Sequence, residues 1–296
     1  MDNVQINNKP LKDRIFCINS FVLKLIAIIT MTLDHIGIFL SFIPGTQEAV
    51  SILRLLGRIC FPIILFLIIE GAKYTKNQNK YLIRIGIMTA IITVAQLIMQ
   101  YALRIIAYNI FLQLFLVLLT IILLKSKKIW VKLLSILPLI YVIITTSIYV
   151  YQINMSSYFF PSALIPDYFL YGYLMGILMF AFTYTFDNYL KKKSDTIDIP
   201  LDEIKEQYNY KLTYNSLICL SVIIIEVIYL FIKYVFPFIN LFGVLQQSYS
   251  MLACIFIFFY SHSLGIKNKI VQYGFYLYYP VHIAFIYLIF QLISIL

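Results

Sequence analysis

Long apolar runs set the terms on which this chain can fold. Stretches such as "FVLKLIAIITMTLDHIGIFLSF" recur along its 296 residues. A helix rises about 1.5 Å per residue, so about 20 apolar residues cross roughly 30 Å of hydrocarbon. The chain is 62% hydrophobic and 12% charged, where soluble domains carry roughly 25% charged residues. A soluble all-helical fold would expose apolar surface everywhere. The expected fold class is therefore all-α, a polytopic transmembrane helical bundle. Nine spans are expected, at 18–41, 50–70, 81–102, 105–124, 130–150, 168–187, 212–235, 244–261 and 272–294. "IMQYALRIIAYNIFLQL" allows one bent element in place of the third and fourth, and "FPFIN" at 236–240 allows a re-entrant dip. The first ten residues are polar and carry no cleavable signal pattern, so the first span is expected to remain.

Residues 1–296 read as a single membrane-embedded domain, with 188–211 as a mixed-sign cytoplasmic loop, a linker or a short surface helix. Cys17, Cys60, Cys219 and Cys254 show no C-x-x-C spacing and read as small hydrophobes. No metal is expected, because the three histidines have no ligand spacing and no H-E-x-x-H is present. Walker, dinucleotide and G-x-S-x-G patterns are absent as well.

The net charge of +10 raises the possibility of nucleic acid. Its distribution answers that. Lys9, Lys12, Arg14 and Lys24 precede or open the first span. Lys73, Lys76, Lys80 and Arg84 follow the second, and Lys125, Lys127, Lys128 and Lys132 the fourth. Lys191, Lys192, Lys193, Lys205 and Lys211 follow the sixth, and Lys267 and Lys269 the eighth. The other side keeps Arg54, Arg58, Arg104 and Lys233. The positive-inside rule then puts the N-terminus in the cytoplasm and the C-terminus outside. The charge is topological, and no nucleic-acid partner is expected.

Charges inside hydrocarbon are costly and mark either function or an essential pair. Asp34 and His35, in "MTLDHIG", fall in the outer part of the first span. Arg54 and Arg58 lie four apart on one face of the second, also at its outer end. Asp167 and Tyr168 sit at the outer mouth of the sixth, at similar depth. A histidine can take a proton from an attacking amine or hydroxyl, and a carboxylate can orient it. Neighbouring helical residues point about 100° apart, so either Asp34 or Asp167 can be the partner of His35. Arg58 can hold an anion or a developing oxyanion. The bland alternative is a structural Asp34–Arg54 or Asp34–Arg58 ion pair. Pro62 in "GRICFP" bends its span, either to shape a pocket or for packing alone. Glu70 is expected to pair with Lys73 or Arg84. Gln96, Gln100 and Arg104 form an i, i+4, i+8 stripe, Glu226 lies mid-span without a sequence partner, His262 is interfacial, and His282 follows Pro280. The stripe and Glu226 also suit a transporter or flippase that uses buried charges as a path.

"LKLIAIITMTLDHIGIFL", "LRLLGRICFPIILFLIIEGAKYTKNQNKYLIRI", "PDYFLYGYLMGILM" and "YGFYLYYPVHIAFIYLI" resemble, in order and spacing, the TraX family of integral membrane proteins. That family is named for a conjugative protein that acetylates the N-terminus of pilin. The specific patterns are D-H-x-G, G-R-x-x-F-P, E-G-x-x-Y-T and K-Y-x-x-R. The resemblance implies a multi-pass protein of the bacterial inner (plasma) membrane, with the lipid bilayer as solvent. It implies an acyltransferase drawing on acetyl-CoA, with an exported peptide, pilin-like chain or envelope glycan as acceptor. Its implied catalytic set is His35, Asp34 and Arg58. Arg54, Asp167, Tyr168 and His282 are expected at the substrate. Lys73, Lys76, Lys80 and Arg84 are expected at the CoA phosphates, unless they are ordinary positive-inside charge. The segment "FYSHSLGIKNK" departs from the Y-N-G-x-x-G-like turn of relatives.

The orientation is open to test. A cysteine placed in the 41–49 loop is expected to react with a membrane-impermeant thiol reagent in sealed cells. Labelling only after lysis reverses the topology.

Overall fold

A computed structural model describes residues 14–157, 159–236, 247–266 and 268–295. Lys9, Lys12, Lys267, residues 237–240 of "FPFIN" and the start of the eighth expected span lie outside the described residues. The apolar runs all become helices: α1 (Ser20–Leu40), α2 (Gln47–Gly57), α3 (Cys60–Tyr74), α4 (Gln78–Ala102), α5 (Ile110–Leu124), α6 (Ile129–Leu133), α7 (Ile136–Met155), α8 (Phe169–Ile197), α9 (Leu201–Glu206), α10 (Tyr208–Val235), α11 (Ala253–Phe258) and α12 (Lys269–Ile295). Short 3₁₀ turns cover Ser162–Leu164 and Ser248–Leu252. The β structure among the described residues is two isolated bridges, Ile18 with Tyr260 and Asn109 with Pro166.

Seven helices are long and apolar enough to cross a membrane: Ser20–Leu40, Gln47–Tyr74, Gln78–Ala102, Ile129–Met155, Phe169–Ile197, Tyr208–Val235 and Tyr273–Leu292. Ile110–Leu124 and Ser248–Phe258 are apolar but shorter. At 1.5 Å per residue α5 reaches only about 22 Å. Length alone supports seven spans, and each of the nine expected spans coincides with one of these nine segments. The protein is an all-α, multi-pass membrane protein. The uncertain third–fourth junction is two helices, reversed at Arg104, whose φ is +58°, with the Ile105 N–H bonded to the Met99 carbonyl at 3.2 Å. The 188–211 stretch is largely helical, taken up by the end of α8, α9 and the start of α10.

Successive helices reverse, so the loops gather at two faces. On the N-terminal face, where α1 begins, Ser20 N–H donates to the Ser263 carbonyl at 2.9 Å, and Lys73 pairs with Asp187 at 2.6 Å. On the opposite face, Asn109 N–H donates to the Ile165 carbonyl at 3.0 Å. Asn19, Asn77 and Asn109 cap α1, α4 and α5, each accepting a backbone N–H at 2.9–3.0 Å, which satisfies one orphan donor of the first turn.

The core is built around α3, α5 and α8. Ile63, Leu65, Phe66, Val117, Leu118 and Met175 are fully buried. α4, α6 and α7 instead expose Ile87, Ile91, Trp130 and Ile144, as helices facing lipid do. α2 and α3 form one bent span. Pro62 has no N–H for the carbonyl four residues back, and the junction tightens into Arg58 N–H to Leu55 O (3.2 Å) and Ile59 N–H to Leu56 O (3.3 Å). Glycines let α1 and α2 approach. A Cβ added at Gly57 would collide with the Asp34 side chain, and one at Gly37 would sit 3.1 Å from the Leu53 Cβ. Gly57→Val is therefore expected to lose about 1–3 kcal/mol through overpacking. The check is a lower thermal unfolding midpoint in detergent, with Gly274→Ala, where added atoms meet open space, unchanged as the control.

Candidate functional site

The α1–α2 hairpin brings three charges together. Asp34 Oδ2 accepts from Arg54 Nη1 at 3.1 Å, and Oδ1 from Arg58 Nη2 at 2.5 Å. Arg58 also donates from Nε to the Arg54 carbonyl at 3.2 Å and from Nη1 to Gln247 Oε1 at 3.1 Å. One carboxylate thus answers two guanidiniums, and the trio keeps a net positive charge. Asp34 is the arginines' partner rather than the orienting group of His35. Removing Asp34 leaves two part-buried guanidiniums uncompensated, which typically costs several kcal/mol, whereas removing either arginine leaves a balanced pair.

His35 is held by other groups. Its Nδ1 lies 2.8 Å from the Met31 carbonyl and 3.3 Å from His282 Nε2. His282 Nδ1 lies 2.8 Å from the Tyr278 carbonyl. A carbonyl only accepts, so both rings carry their proton on Nδ1. His282 Nε2 then presents a lone pair to the His35 Nδ1–H. His35 Nε2 keeps its lone pair and has no hydrogen-bond partner among the described residues. Tyr278 stacks on His282 with centroids 4.9 Å apart, and its hydroxyl meets Thr32 Oγ1 at 2.7 Å. The α12 helix thereby packs against His35, with His282 at its Nδ1 side.

Asp167 and Tyr168 enter from the loop before α8. Asn109, fully buried, organises it: its side-chain amide donates to Thr93 Oγ1 (2.8 Å) and the Ala163 carbonyl (3.3 Å), and its own carbonyl accepts the Asp167 N–H at 3.2 Å. Phe169 follows with φ +48°, a rare conformation for a bulky residue that concentrates at functional loops. Tyr168 stacks on Phe61 at 3.7 Å. The Asp167 carboxylate makes no ion pair or hydrogen bond among the described residues. Burial pushes it up to about 7, against the pull of Arg58 and Arg54 and with a further push from Asp34.

A polar chain continues from Arg58. Gln247 Nε2 lies 3.4 Å from the Tyr171 hydroxyl, and the hydroxyls of Tyr171 and Ser250 both donate to Glu226 Oε1. Glu226 thus has partners from α8 and the Ser248 turn, although nothing near it in sequence names them. Gln100 Oε1 accepts from the Ser162 N–H and Oγ, both at 2.9 Å, and Gln96 donates to the Tyr108 carbonyl at 2.9 Å. Two members of the expected stripe, Gln96 and Gln100, are spent on tethering loops.

One cavity of about 1280 Å³ joins these groups to the N-terminal face. Asp34, His35, Arg54, Arg58, Asp167 and Tyr168 line one end, and Lys24, Glu70, Tyr74 and Arg84 the other. Between them the wall is apolar, with Ile64, Leu67, Ile68 and Leu114. Of the four cations expected at CoA, Arg84 lines this cavity. Lys73 is engaged by Asp187 at 2.6 Å, the Tyr210 hydroxyl at 2.9 Å and the Tyr214 ring at 4.1 Å. Lys76 borders a separate small depression, and Lys80 is exposed at the start of α4. Glu70 pairs with neither Lys73 nor Arg84; it accepts from the Tyr214 hydroxyl at 2.5 Å. His262 bonds Asn215 Oδ1 at 3.0 Å among the rings of Tyr210, Tyr214 and Tyr260, and burial pushes it down to about 3. Among the described residues no group of three or more His, Cys, Asp or Glu could hold a metal ion.

Residues 20–187 match the family described as TraX protein. The chain belongs to the TraX family. A Dichelobacter nodosus protein described as "Probable fimbrial assembly protein FimC, serogroup H1" is 39% identical over 67 residues, 23% of this chain and 27% of that protein. The chain thus matches about a quarter of that relative's length. No solved structure matches. The TraX-matched region carries Asp34, His35, Arg54, Arg58, Asp167 and Tyr168 together. Gln247, Tyr171 and Asn109 complete the arrangement and were not singled out in the sequence. The signal available was local: Asn109 stands at the N-cap position before the apolar run of α5.

Asp167 is expected to titrate near pH 7. Its folded-state value lies above the ordinary 3.8, so the folded chain binds the extra proton between those values and loses stability as pH rises through them. Infrared titration should show a carboxyl band lost with a midpoint near 7, missing from Asp167→Asn, whose stability should change less over that range. A band that titrates near 4 overturns the assignment.

Proposed function

We propose that this TraX-family chain is a membrane acyltransferase that moves an acetyl group from acetyl-CoA to an amine or hydroxyl at the face opposite its N-terminal face. The observation that carries this reading is one continuous cavity with His35 at one end and, at the other, Lys24 and Arg84, which make no ion pair among the described residues. The positive-inside distribution makes the N-terminal face cytoplasmic, which is where acetyl-CoA is made. The lining suits the donor. Arg84 holds a buried Nε–H without a partner, the middle is apolar, and Lys24 and His35 stand eleven residues apart on α1, about 16 Å along the helix. That separation is comparable with an extended pantetheine arm.

Bound there, acetyl-CoA supplies an activated thioester. His35 Nε2 takes the proton of the attacking amine or hydroxyl and gives it to the departing sulfur. His282 accepts from Nδ1–H and keeps the ring in the tautomer with a basic Nε2. Arg58 has N–H groups beyond those used by Asp34, Arg54 and Gln247, and these can donate to the carbonyl oxygen as it gains charge. Asp167, in the same cavity, holds the incoming acceptor by its N–H or O–H. The acceptor class we favour is an exported pilin-like chain, in keeping with the fimbrial assembly description of the relative.

Purified protein given radiolabelled acetyl-CoA and envelope extract is expected to transfer label. His35→Ala should lower transfer about 100-fold or more while its thermal unfolding stays near that of the native chain. Arg58→Lys should lower it less. Failure to bind acetyl-CoA, together with no transfer to any envelope fraction, removes the proposal.

A further inference from the structure

Three charged side chains surround the N-terminal end of the cavity: Lys24, Glu70 and Arg84. They share a depth. Lys24 lies about one turn inside the start of α1, Glu70 about one turn inside the end of α3, and Arg84 less than two turns inside the start of α4. Two of them hold polar atoms that the fold leaves unused. Glu70 is 5% exposed. Its Oε1 accepts from Tyr214, and its Oε2 is buried without a hydrogen-bond partner among the described residues. The Tyr260 hydroxyl also acts on this carboxylate as a donor, outside strict hydrogen-bond geometry to Oε2. Arg84 Nε is likewise buried and unpartnered.

Tyr81 lies beside Arg84 and beside Gly71, the chain neighbour of Glu70. The Arg84 guanidinium lies 5.7 Å from its ring centroid. Its hydroxyl occupies the space beside Gly71, where an added Cβ would stand 2.6 Å from it. Lys73 makes its ion pair with Asp187 and reaches Glu70 only as a nearby positive charge. Buried polar groups in native folds are nearly always paired. An open acceptor and an open cationic donor at one cavity mouth therefore fit a ligand that presents both an N–H group and an anion. Tyr74, exposed and lining the mouth, supplies a ring face for a planar group, while Tyr260 is buried against Phe66 and His262.

We propose that this mouth is a nucleotide subsite, in which Glu70 accepts from the exocyclic amine of a purine and Arg84, with Lys24, takes phosphate. The proposal rests on the acetyl-CoA reading and identifies the part of that donor which this face recognises. Glu70 sets selectivity for the base, and Arg84 contributes affinity without regard to it.

The test is calorimetric titration of the purified full chain with desulfo-CoA, which cannot be acylated, and with its deaminated inosine analogue. The native chain should bind the adenine compound about tenfold more tightly, as one hydrogen bond to a charged group provides. Glu70→Ala should abolish that ratio. Arg84→Gln should weaken both compounds alike and keep the ratio. The native comparison needs no variant, so a misfolded Glu70→Ala does not decide the outcome. Equal binding of the two compounds by the native chain overturns the subsite and leaves the donor reading standing. No binding of either removes both.

Discussion

Asp34 sits between Arg54 and Arg58 where an unpaired charge is costly, so α1 and α2 must keep the one register that delivers all three. That register asks for close helices, and Gly37 and Gly57 provide the approach. It also asks for a bend at Arg58, which Pro62 supplies by withholding a backbone donor. Arg58 then turns its remaining hydrogen bonds toward Gln247, and through Tyr171 toward Glu226. A charge cluster on two neighbouring helices is in this way tied to α8, α10 and the Ser248 turn. None of those contacts is close in sequence.

The cavity follows from the same constraint. Helices clamped at the cluster end and at the Lys73–Asp187 end enclose space between them. Its walls are apolar where α3, α4 and α5 pass, and polar at both mouths. Such a space suits a long ligand with one charged end and one reactive end. Closure at the cluster end comes from a loop rather than a helix. The Asn109 side chain and carbonyl set the Asp167 strand of that loop, and Phe169 accepts an unfavourable φ to start α8 immediately afterwards.

Much of this was legible in the sequence, and the rest was not, for identifiable reasons. Apolar run lengths located the long helices, because satisfying backbone groups in hydrocarbon leaves few other choices, while the polar α9 left no such signal. The shared depth of Asp34, Arg54, Arg58 and Asp167 followed from charge alternation. The partner of Asp34 did not, since helical neighbours diverge by about 100° and only packing decides which carboxylate meets which cation. Glu70 shows the same limit: spacing favoured Lys73, one turn away, but Asp187 from α8 took the lysine and Tyr214 from α10 took the glutamate. Gln247 carried no periodic or charge signal. Its role exists only because the chain returns to Arg58 after α10.

The division of labour around His35 can be argued from charge alone. If Asp34 served the imidazole, two guanidiniums would stand uncompensated in the same part-buried pocket. Giving Asp34 to the arginines and a second imidazole to His35 avoids that. His282 accepts the Nδ1 proton as a neutral group, so it orients the ring without adding an ion to the membrane interior. It can do so because α12 runs along α1 and carries Tyr278 and His282 on the side that faces Thr32 and His35. The Met31 carbonyl on α1 fixes the proton on His35 Nδ1, and the helix most distant in sequence adds a second acceptor on the same side, so that Nε2 is the nitrogen left free.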